Sequence, residues 1–422
     1  MNILVIGGGG REHAVIKALK KSKGVEKIYA LPGNGGIAAD AECYPVKATD
    51  LDGIAEFTKS HKVDFAVVTP DDPLVLGCVD RLEALGIPCF GPRANAAVIE
   101  GSKVFSKDLM KKYGIPTAES ETFSDAEAAI GYLKRGSFPA VIKADGLALG
   151  KGVVIAQNFE EAEAAVRDIM CDKVFGASGN RILVEEFLTG PEVSVLSFTD
   201  GKVVVPMVSS MDHKRAKDGD EGLNTGGMGT VAPNPYFTEE IARECMEKIF
   251  IPTVRAMNAE GRTFRGCLYF GLMLTPKGPK VIEYNCRFGD PETQVVLPLL
   301  ESDLLEIMRA VANGTLSEKQ VVFKTGAACC VVLASEGYPK KYETGFEITL
   351  PETKEGEYVY VAGAKAQDGK LLTAGGRVLG AVATADDLKS AVAGAYALAS
   401  KIGFKNAYMR TDIGKRALAA KV

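Results

Sequence analysis

The stretch PKVIEYNCRFGDPETQ, at residues 279–294, begins as a strand and carries a row of polar groups along one face. Because side chains alternate between the two faces of a strand, Val281, Glu283, Asn285 and Arg287 are predicted to share one face. The other face is predicted to pack in the core and consists of Ile282, Tyr284, Cys286 and Phe288. An exposed strand with a solvated polar face is the plainer alternative.

The polar row has the chemistry of a metal and anion site. Mg²⁺ takes oxygen ligands, usually one or two carboxylates with substrate phosphates, and Glu283 and Asn285 would place two such oxygens side by side. Arg287, one step further along the strand, can hold an anionic substrate or a transferring phosphoryl group through two parallel hydrogen bonds. Asn is disfavoured inside strands, so its presence favours a functional interpretation.

A glycine-rich loop, DGLALGKG, separates two short predicted strands, AVIKA and GVVIA. The loop is too short for a P-loop, and Gly152 stands where that motif needs a hydroxyl for magnesium. A flexible loop that follows Lys143 can nevertheless close over phosphates. On these residues alone, a solvated hairpin loop is an equally good interpretation.

The segment ILVEEFLTGPEVSV contains a predicted strand that ends in the open, with Glu185 and Glu186 at its end and Glu192 after the turn. Main-chain N–H and C=O groups at such a strand end can bind a purine, and a carboxylate beyond the turn can accept from ribose hydroxyls. An edge strand with solvated glutamates is the alternative, and it is favoured when the segment is considered alone.

The N-terminal IGGGGREHA joins a predicted strand to a helix, as in dinucleotide-binding folds. The GxGxxG spacing fails because Glu12 stands at the third glycine position, and ALPGNGG ends the second strand without an acidic residue for a ribose. A nicotinamide-dependent oxidoreductase is therefore disfavoured.

PGNGG (32–36) and TPDDPL (69–74) follow neighbouring strands at the same edge. With a helix N-terminus there, the three loops favour a small phosphorylated ligand over a simple tight turn.

Residues 1 to about 100 alternate the strands ILVIG, KIYAL, FAVVT and PCFGP with helices from about Arg11, near 51–60 and near 72–85. Such alternation predicts right-handed βαβ units and a parallel sheet with helices on both faces. A helical connector, SKVFSKDLMKKYG, is predicted to end at Gly114.

The rest of the chain is predicted to be α+β. Residues 117–322 contain the strands AVIKA, GVVIA, RILVEEF, GCLYFGLMLT and PKVIEYN, helices near 159–171 and 302–313, a hairpin turning at Asp200-Gly201 and a loop-rich tract from 209 to 236. Residues from about 323 are strand-rich with one helix, ADDLKSAVAGAYALASKI. We therefore predict an α/β and α+β multidomain protein with domains at 1–101, 102–322 and 323–422.

Composition argues against several classes of protein. The chain of 422 residues has a net charge of −4 and a pI of about 5.7, so no nucleic-acid surface is expected. No apolar run approaches the ~20 residues of a membrane span, and no signal peptide is expected before the first strand. The nine cysteines, without a CxxC pair, are expected to be reduced and mostly buried, which favours a cytoplasmic protein.

KADGLALGKG, VEEFLTGPE and VIEYNCRFGDPETQ, in this order and spacing, resemble the ATP-grasp fold. Over essentially the whole chain, IGGGGREHA, PGNGG, FGP, EGSKVFSKD, MDHKRAKDGDEGLNTGGMG and NCRFGDPETQ resemble the glycinamide ribonucleotide synthetase family of purine biosynthesis. The resemblance implies an N-terminal Rossmann-like domain, a central ATP-grasp domain with lobes at about 117–190 and 191–322, and a small C-terminal α+β domain. It also implies ATP-dependent ligation of glycine to 5-phosphoribosylamine through glycyl phosphate, with Mg²⁺ or Mn²⁺. A monomer is expected.

The resemblance further implies roles for individual residues. ATP would be bound by Lys103, Lys143, Gly146, Gly150, Lys151, Gly152, Glu185, Glu186, Leu188 and Glu192, and the metal by Glu283 and Asn285. Phosphoribosylamine and glycine would be bound by Gly8, Gly9, Gly10, Glu12, Gly33, Asn34, Pro70, Asp71, Asp212, Lys214, Asn224, Gly226, Gly227, Arg287, Asp290 and Glu292. The implied catalytic residues are Arg287, Lys143 and Asp212.

The sequence departs from the family pattern in two places. The family loop GPE-x-PL reads TPDDPL here, so Thr69 replaces a glycine and Asp71 replaces a longer glutamate. The strand CLYFGLML offers no further acidic metal ligand, so the metal is expected to depend more on phosphate oxygens and water.

Two other functions are weighed against the glycine ligase. A non-catalytic nucleotide-binding module would be expected to have lost the metal pair, whereas Glu283 and Asn285 are both present. Another ATP-grasp carboxylate–amine ligase or a carboxylase is the nearest rival, and the DHKR and NTGGMG segments favour the glycine ligase. No step needs a protein nucleophile, and His213 is predicted to support its loop rather than to accept a proton.

Overall fold

A computed structural model describes residues 1–147 and 152–420. The N-terminal strands are β1 (Asn2–Gly7), β2 (Lys27–Pro32), β3 (Glu42–Cys43), β4 (Phe65–Val68) and β5 (Cys89–Phe90). They form a parallel sheet of five strands in the order β3-β2-β1-β4-β5. The apolar runs of β1 and β4 are buried on both faces, as expected where helices cover a parallel sheet.

Helices follow and connect these strands. They are α1 (Gly10–Leu19), α2 (Leu51–Ser60), α3 (Asp71–Val75), α4 (Cys78–Ala84), α5 (Ala94–Gly101) and α6 (Lys103–Tyr113). The predicted helix near 72–85 is two helices, because Gly77 between them has a φ of 90°, which no helix accommodates. The connector helix α6 ends at Gly114, as predicted.

The next four strands form a small antiparallel sheet. They are β6 (Ser120–Phe123), β7 (Ala140–Ala144), β8 (Val153–Ala156) and β9 (Ile182–Glu186), in the order β6-β9-β7-β8. Helices α7 (Ala126–Leu133) and α8 (Phe159–Val166) pack on this sheet, and a π turn, Arg167–Cys171, continues α8. We call β6–β9 with α7 and α8 the small lobe.

The following strands are β10 (Glu192–Thr199), β11 (Val204–Pro206), β12 (Met211–Asp212), β13 (Arg215–Lys217), β14 (Glu221–Asn224), β15 (Gly229–Ala232), β16 (Gly266–Thr275) and β17 (Gly278–Asn285). Four of them form the large sheet, in the order β11-β10-β16-β17. The helices of this region are α9 (Glu239–Cys245), α10 (Ile251–Ala259), α11 (Thr293–Val296) and α12 (Leu304–Asn313). Of these, α12 agrees with the predicted helix at 302–313, and α9 and α10 were not predicted.

The C-terminal elements are β18 (Ala327–Ser335), β19 (Glu357–Val361), β20 (Ala364–Gln367), β21 (Lys370–Thr373), β22 (Arg377–Ala385), α13 (Leu388–Ala399), β23 (Ala407–Tyr408) and α14 (Lys415–Leu418). Their sheet has the order β12-β15-β18-β22-β19, and β23 also pairs with β18. The tract from 209 to 236 therefore supplies two strands to this sheet, and its prediction as loop was wrong there. Strand β15 depends on a partner nearly one hundred residues away, as in the pairing of Val231 with Cys329, and β12 joins the sheet through β15.

The buried side chains show which parts of the chain share a core. Ile3 of the N-terminal sheet, Phe198 of the large sheet and Val382 of the C-terminal sheet lie in one buried cluster. The small lobe has a buried cluster of its own, whose members all lie between Phe123 and Val184. The small lobe is thus packed as a separate unit, whereas the other three sheets are packed together.

Strand β17 contains a β-bulge that the alternation pattern did not predict. Gly271 of β16 pairs with Glu283, but its neighbour Leu272 pairs with Val281. Ile282 is therefore the extra residue on the bulged strand.

The bulge changes the predicted faces of the strand. Val281 is 0% exposed and shares a buried cluster with Tyr284, so its predicted position beside Glu283 was wrong. Ile282, predicted to be core, is only partly buried. From Glu283 onward the alternation holds, so Asn285 still shares the face of Glu283.

No helix among residues 1–147 and 152–420 is both long and apolar enough to cross a membrane. All nine cysteines are free in this structure and seven of them are buried, which agrees with their predicted burial.

Because the small lobe has a separate core, damage to that core should stay local. We expect Ile142→Ala, at a site with 0% exposure, to destabilise the small lobe by about 2–5 kcal/mol. Hydrogen exchange should accelerate in β7 and β9 and stay unchanged in β1 and β18. Ile155→Ala, in the same lobe but 36% exposed, is the control and should cost less than about 0.5 kcal/mol. Equal acceleration in all four strands would contradict a separate core.

Candidate active site

Glu283 and Asn285 lie at the end of β17, beside a lysine from the loop that follows β12. Lys214 Nζ lies 3.7 Å from Glu283 Oε1 and 3.4 Å from Glu192 Oε2. The Glu283 side chain is 37% exposed, so a ligand can reach its carboxylate. Neither the Glu283 nor the Asn285 side chain hydrogen-bonds another residue in the part of the chain that the structure describes. Their oxygens remain available.

Four cations surround the Glu283 carboxylate. Burial disfavours its charged form, but Lys214, Lys143, Lys103 and Arg287 together hold its pKa below the ordinary value. No group of three or more His, Cys, Asp and Glu suited to a metal ion occurs within the described ranges. The donor set of one carboxylate and one amide therefore fits a hard divalent cation whose shell is completed by phosphate oxygens and water.

Glu185, at the end of β9, is enclosed by two lysines. Lys143 Nζ lies 2.9 Å from Glu185 Oε2, and Lys107 Nζ lies 3.3 Å from Oε1. All three side chains are buried, and Lys143 also donates to the main-chain oxygen of Ile282, the bulge residue, at 3.1 Å. Sequence reasoning missed Lys107, although it stands four residues after Lys103 on the same face of α6.

Lys103 begins α6 and donates to the main-chain oxygen of Gly146 at 2.6 Å, which brings it to the glycine-rich loop. Burial lowers the pKa of Lys103. Gly152 is buried just before β8. The predicted phosphate contacts of Gly150 and Lys151 lie outside the described residues.

The chain beyond β9 leaves main-chain groups open. The Glu186 N–H donates to the Glu119 oxygen at 2.9 Å, and the Glu186 carboxylate lies 2.6 Å from Lys280. The main chain of Phe187 and Leu188 forms no hydrogen bond with any other described residue. A planar base with donors and acceptors can therefore pair with these groups.

Arg287 is held by a buried carboxylate that sequence reasoning missed. Its Nη2 lies 3.3 Å from Glu100 Oε1, and Glu100 Oε2 accepts from the Cys286 N–H at 2.7 Å. Burial disfavours the charge of Arg287, but Glu100 and Asp71 hold its pKa above the ordinary value. Arg287 Nε is buried without a hydrogen-bond partner among the described residues. The Arg287 side chain is 19% exposed, so its guanidinium can still reach an anion.

Glu12 caps its own helix. Its carboxylate accepts from the Gly9 N–H and from Arg11 Nε, each at 2.6 Å, and the residue is 1% exposed. The loop before α1 also touches the next loop, since a Cβ on Gly8 would lie 2.3 Å from the Gly33 oxygen. The structure therefore places Glu12 beneath the loop surface as a support, and a substrate contact by Glu12 stays a prediction.

Asn34 uses its whole side chain to join three parts of the chain. Its Nδ2 donates to the Gly8 oxygen at 2.9 Å and to the Val361 oxygen of β19 at 2.8 Å. Its Oδ1 accepts from the N–H groups of Gly36 and Ile37. The second loop is thereby fixed to both the first loop and the C-terminal sheet.

The TPDDPL departure has a structural explanation at its first residue. Thr69 is 0% exposed and donates from Oγ1 to the Ile6 oxygen at 2.6 Å, which fastens the end of β4 to β1. Pro70 precedes α3 and Asp71 opens it. The shorter Asp71 is still close enough to Arg287 to raise its pKa.

A second acidic group is formed by Asp212 and Glu292. Burial and the charge of Glu292 raise the pKa of Asp212 well above its ordinary value, and Asp212 Oδ1 accepts from the His213 N–H at 2.7 Å. Ser194 Oγ lies 2.8 Å from the Tyr269 hydroxyl and donates to Glu292 at 3.4 Å. A carboxyl whose pKa is raised binds a proton more readily than an ordinary carboxyl.

His213 itself is a structural support. It is 1% exposed, its Nδ1 lies 3.1 Å from the Gly229 oxygen, and its Nε2 accepts from the Gly414 N–H at 3.2 Å. Burial, with the charges of Arg416 and Arg410, lowers the pKa of His213 to about 4. Both ring nitrogens are engaged, so the prediction of a supporting role is confirmed.

Arg377, from β22, is a further residue that sequence reasoning missed. It donates to the main-chain oxygens of Gly226 at 2.8 Å and Asp290 at 2.9 Å, and its Nη2 lies 3.4 Å from Asp290 Oδ2. Gly227 must be glycine, since its φ is 117° and a Cβ would lie 2.7 Å from Asp212 Oδ1. Arg377 thus joins the NTGGMG and GDPE segments. In the sequence it lies in the short motif GGRV, which alone gives little indication of this role.

Sequence models of three domains match the chain. They describe the N domain of phosphoribosylglycinamide synthetase at residues 1–100, its ATP-grasp (A) domain at 101–293 and its C domain at 328–416. The chain belongs to the phosphoribosylglycinamide synthetase family.

Two relatives of the chain are named phosphoribosylamine–glycine ligase. That of Caldanaerobacter subterraneus subsp. tengcongensis is 48% identical, with 98% of this chain and 99% of the relative covered. That of Clostridium acetobutylicum is 46% identical, with 98% and 100% covered.

Solved structures agree with this assignment. The phosphoribosylamine–glycine ligase of Thermotoga maritima has a TM-score of 0.86 at 36% identity and covers 98% of this chain and 100% of its own. The biotin carboxylase domain of Hydrogenobacter thermophilus 2-oxoglutarate carboxylase has a TM-score of 0.76 at 18% identity, covers 97% and 91%, and shows the shared fold alone.

In this phosphoribosylglycinamide synthetase family member, the predicted residues form three groups. Lys143 and Glu185 meet at the ends of β7 and β9, and Lys214 joins Glu192 to Glu283 in the middle. A third group contains Asp212, Gly226, Gly227, Asp290 and Glu292. Gly10 opens α1, and Asn224 pairs with Arg215 in the β13–β14 hairpin.

The lowered pKa of His213 gives stability a defined pH dependence. The unfolded state takes up the proton near pH 6.5 and the folded state only near 4, so stability falls as the pH falls through this interval, by about 3 kcal/mol in total. His213→Asn removes this titration, and its unfolding free energy should fall less steeply.

With only three histidines in the chain, labelled-histidine NMR can follow the ring of His213 directly. The ring whose resonance disappears in His213→Asn should stay neutral from about pH 8 to about pH 5. Titration of that resonance near its ordinary pKa would contradict the assigned hydrogen bonds.

Proposed function

We propose that the protein joins glycine to 5-phosphoribosylamine and converts ATP to ADP and phosphate, with glycyl phosphate as the intermediate. The observation that carries the proposal is the field of four cations, Lys214, Lys143, Lys103 and Arg287, around Glu283. Such a field offsets the repulsion between the ATP phosphates and the glycine carboxylate as they approach. Membership of a family whose relatives are named phosphoribosylamine–glycine ligase supports the choice of substrates.

ATP is proposed to bind where the small lobe faces the large sheet. Leu188 would pair with adenine through its main chain, Glu192 would accept from the ribose, and Lys103 and Lys143 would meet the phosphates. The glycine-rich loop would exclude water from the acyl phosphate, which hydrolyses readily. The biotin carboxylase neighbour is a complex with MgADP, which supports a metal-bound nucleotide here.

A divalent metal on Glu283 and Asn285 would neutralise phosphate charge during transfer, and we propose Mg²⁺ or Mn²⁺ for it. The ionised state of Glu283 supports this role, because its neighbours hold its pKa low.

Arg287 is proposed to hold the glycine carboxylate through the part of its guanidinium that stays accessible, since its side chain is 19% exposed. An oxygen of that carboxylate attacks the γ-phosphorus of ATP, and ADP leaves. The phosphoribosylamine nitrogen then attacks the carbonyl carbon and phosphate leaves, while Asp212, whose pKa is raised, would take the proton of the amine.

Phosphoribosylamine is proposed to lie across the loops at 8–10, 33–34 and 70–71. The sugar phosphate would meet the N-terminus of α1, where main-chain N–H groups and the helix dipole favour an anion. Arg377 would complete this side, because it fixes Gly226 and Asp290 at the same place.

We further propose a cytoplasmic, monomeric enzyme of purine biosynthesis without a nucleic-acid or membrane partner. The rival interpretation, another ATP-grasp ligase or a carboxylase, is not favoured, because the carboxylase neighbours share the fold at only 16–18% identity.

The reaction predicts a strict requirement for both co-substrates. ADP release with Mg²⁺ and ATP should be strong only when glycine and 5-phosphoribosylamine are both present. Omitting either one removes the acceptor or the nucleophile, so release should fall to background in both controls. ADP release that is indifferent to glycine would exclude the proposed reaction.

The metal pair predicts the effect of a single substitution. Glu283→Ala should lower kcat by about 10²–10³-fold, because the charge that positions the metal is lost while the fold persists. Glu247→Ala, an exposed glutamate of the same domain, is the matched control and should retain activity. Circular dichroism checks the fold of both variants. Near-normal Mg²⁺-dependent activity of Glu283→Ala would remove Glu283 from the metal site.

A further inference from the structure

The segment that leaves α6 is bonded to the bulge of β17. The Pro116 oxygen accepts from the Val281 N–H at 2.8 Å, and Thr117 Oγ1 donates to the Val281 oxygen at 2.8 Å. Thr117 and Val281 also form an isolated parallel bridge. The chain that enters the small lobe is thereby fixed to the residue where the register of β17 shifts.

Lys107 connects this segment to the nucleotide side. Its Nζ donates to Thr117 Oγ1 at 2.7 Å and to the Ala118 oxygen at 3.1 Å, and lies 3.3 Å from Glu185 Oε1. These three acceptors use the three hydrogens of the ammonium group.

The contacts close into a ring around the bulge. Glu185 contacts Lys143 with its second oxygen at 2.9 Å, and Lys143 donates to the Ile282 oxygen at 3.1 Å. The carbonyls of Val281 and Ile282, consecutive residues of the bulge, are thus bonded by two side chains that both lead back to Glu185. Sheet ladders do not satisfy the polar groups of a bulge by themselves, so this ring holds its geometry.

A gain in folding stability is a weak explanation for this ring of contacts. Burial lowers the pKa of Lys107 to about 8 even though the Glu185 charge opposes that shift. A buried ion pair with such a desolvation cost contributes little net stability. A defined geometry is the better-attested effect of such a pair.

We propose that Lys107 and Thr117 are positioning residues of the ligase reaction, which couple Glu185 at the nucleotide side to the bulge that orients Glu283. The inference rests on the proposed function. Neither residue touches the reacting atoms: Thr117 acts through the Val281 carbonyl, and Lys107 acts through Thr117 and Glu185.

The test uses Thr117→Val, which keeps the β-branched shape and removes the hydroxyl. We expect kcat to fall about ten-fold and the Mg²⁺ concentration for half-maximal activity to rise about ten-fold, since a small displacement of Glu283 is enough. Calorimetry with a non-hydrolysable ATP analogue adds a readout without turnover. Its affinity should fall about ten-fold in Mg²⁺ and change less than about two-fold without metal. Thr117→Ser should restore the wild-type values.

Matched controls separate position from bulk. Thr122→Val changes an exposed threonine of β6 and should change none of these values. Lys107→Met should reproduce the metal defect, and adding Thr117→Val to it should cause little further loss, because both break the same ring. Lys111→Met removes a lysine one turn along α6 that donates to the Ser120 oxygen outside the ring, and it should behave as wild type.

Each outcome decides the inference. Wild-type Mg²⁺ dependence in both Thr117→Val and Lys107→Met overturns it, as does a lowered melting temperature with unchanged kinetic and binding values. A metal defect rescued by Thr117→Ser supports it. Failure of the wild-type protein to release ADP with glycine and 5-phosphoribosylamine would refute the proposed function separately, and the calorimetric comparison would still decide the coupling.

Discussion

The single extra residue in β17 is the constraint on which the arrangement of charges depends. It turns Val281 into the core and leaves Glu283 and Asn285 together on the open face. A slip of one residue would exchange the two faces and bury the carboxylate away from its four cations, at the cost of an unpaired buried charge. The bulge carbonyls are bonded by Lys143 and Thr117, so side chains from β7 and from the segment after α6 hold the geometry of the bulge.

The distribution of apolar packing explains how one site can be both fixed and accessible. The N-terminal, large and C-terminal sheets share a buried cluster, and Val281 and Tyr284 of β17 lie in a second cluster with residues of the N-terminal and large sheets. These elements therefore form one body. The small lobe has its own cluster and reaches that body through polar contacts, such as those of Lys107 and of Lys143 with Ile282. Polar contacts can be exchanged for water at less cost than apolar burial, so the small lobe is the part of the molecule best suited to move.

Local pattern was sufficient wherever neighbouring residues decide the structure. The βαβ alternation, the end of α6 at Gly114 and the row formed by Glu283, Asn285 and Arg287 were all predicted correctly. The break at Gly77 was missed because the apolar periodicity runs through it. The position of Val281 was wrong because a bulge is a property of two strands, and the pairing of Gly271 and Leu272 cannot be read from β17 alone. The roles of individual residues and the domain boundaries stay predictions, because neither family membership nor geometry tests them.

The contribution of the C-terminal sheet is the hardest feature to predict from local sequence. The loop at 33–35 nevertheless depends on contacts with this sheet. His13 Nδ1 accepts from the Val361 N–H at 2.8 Å, Asn34 donates to the Val361 oxygen, and the Gly35 N–H donates to the Ala364 oxygen at 3.0 Å. These contacts join residues more than three hundred positions apart, so no window of sequence contains both partners. Without β19, one amide hydrogen of Asn34 would lose its acceptor, and without β22 the main-chain oxygens of Gly226 and Asp290 would lose the guanidinium of Arg377. A buried polar group left unpaired costs about 1–3 kcal/mol. The C-terminal sheet therefore helps to hold in place the loop at 33–34 and the segments that contain Gly226 and Asp290.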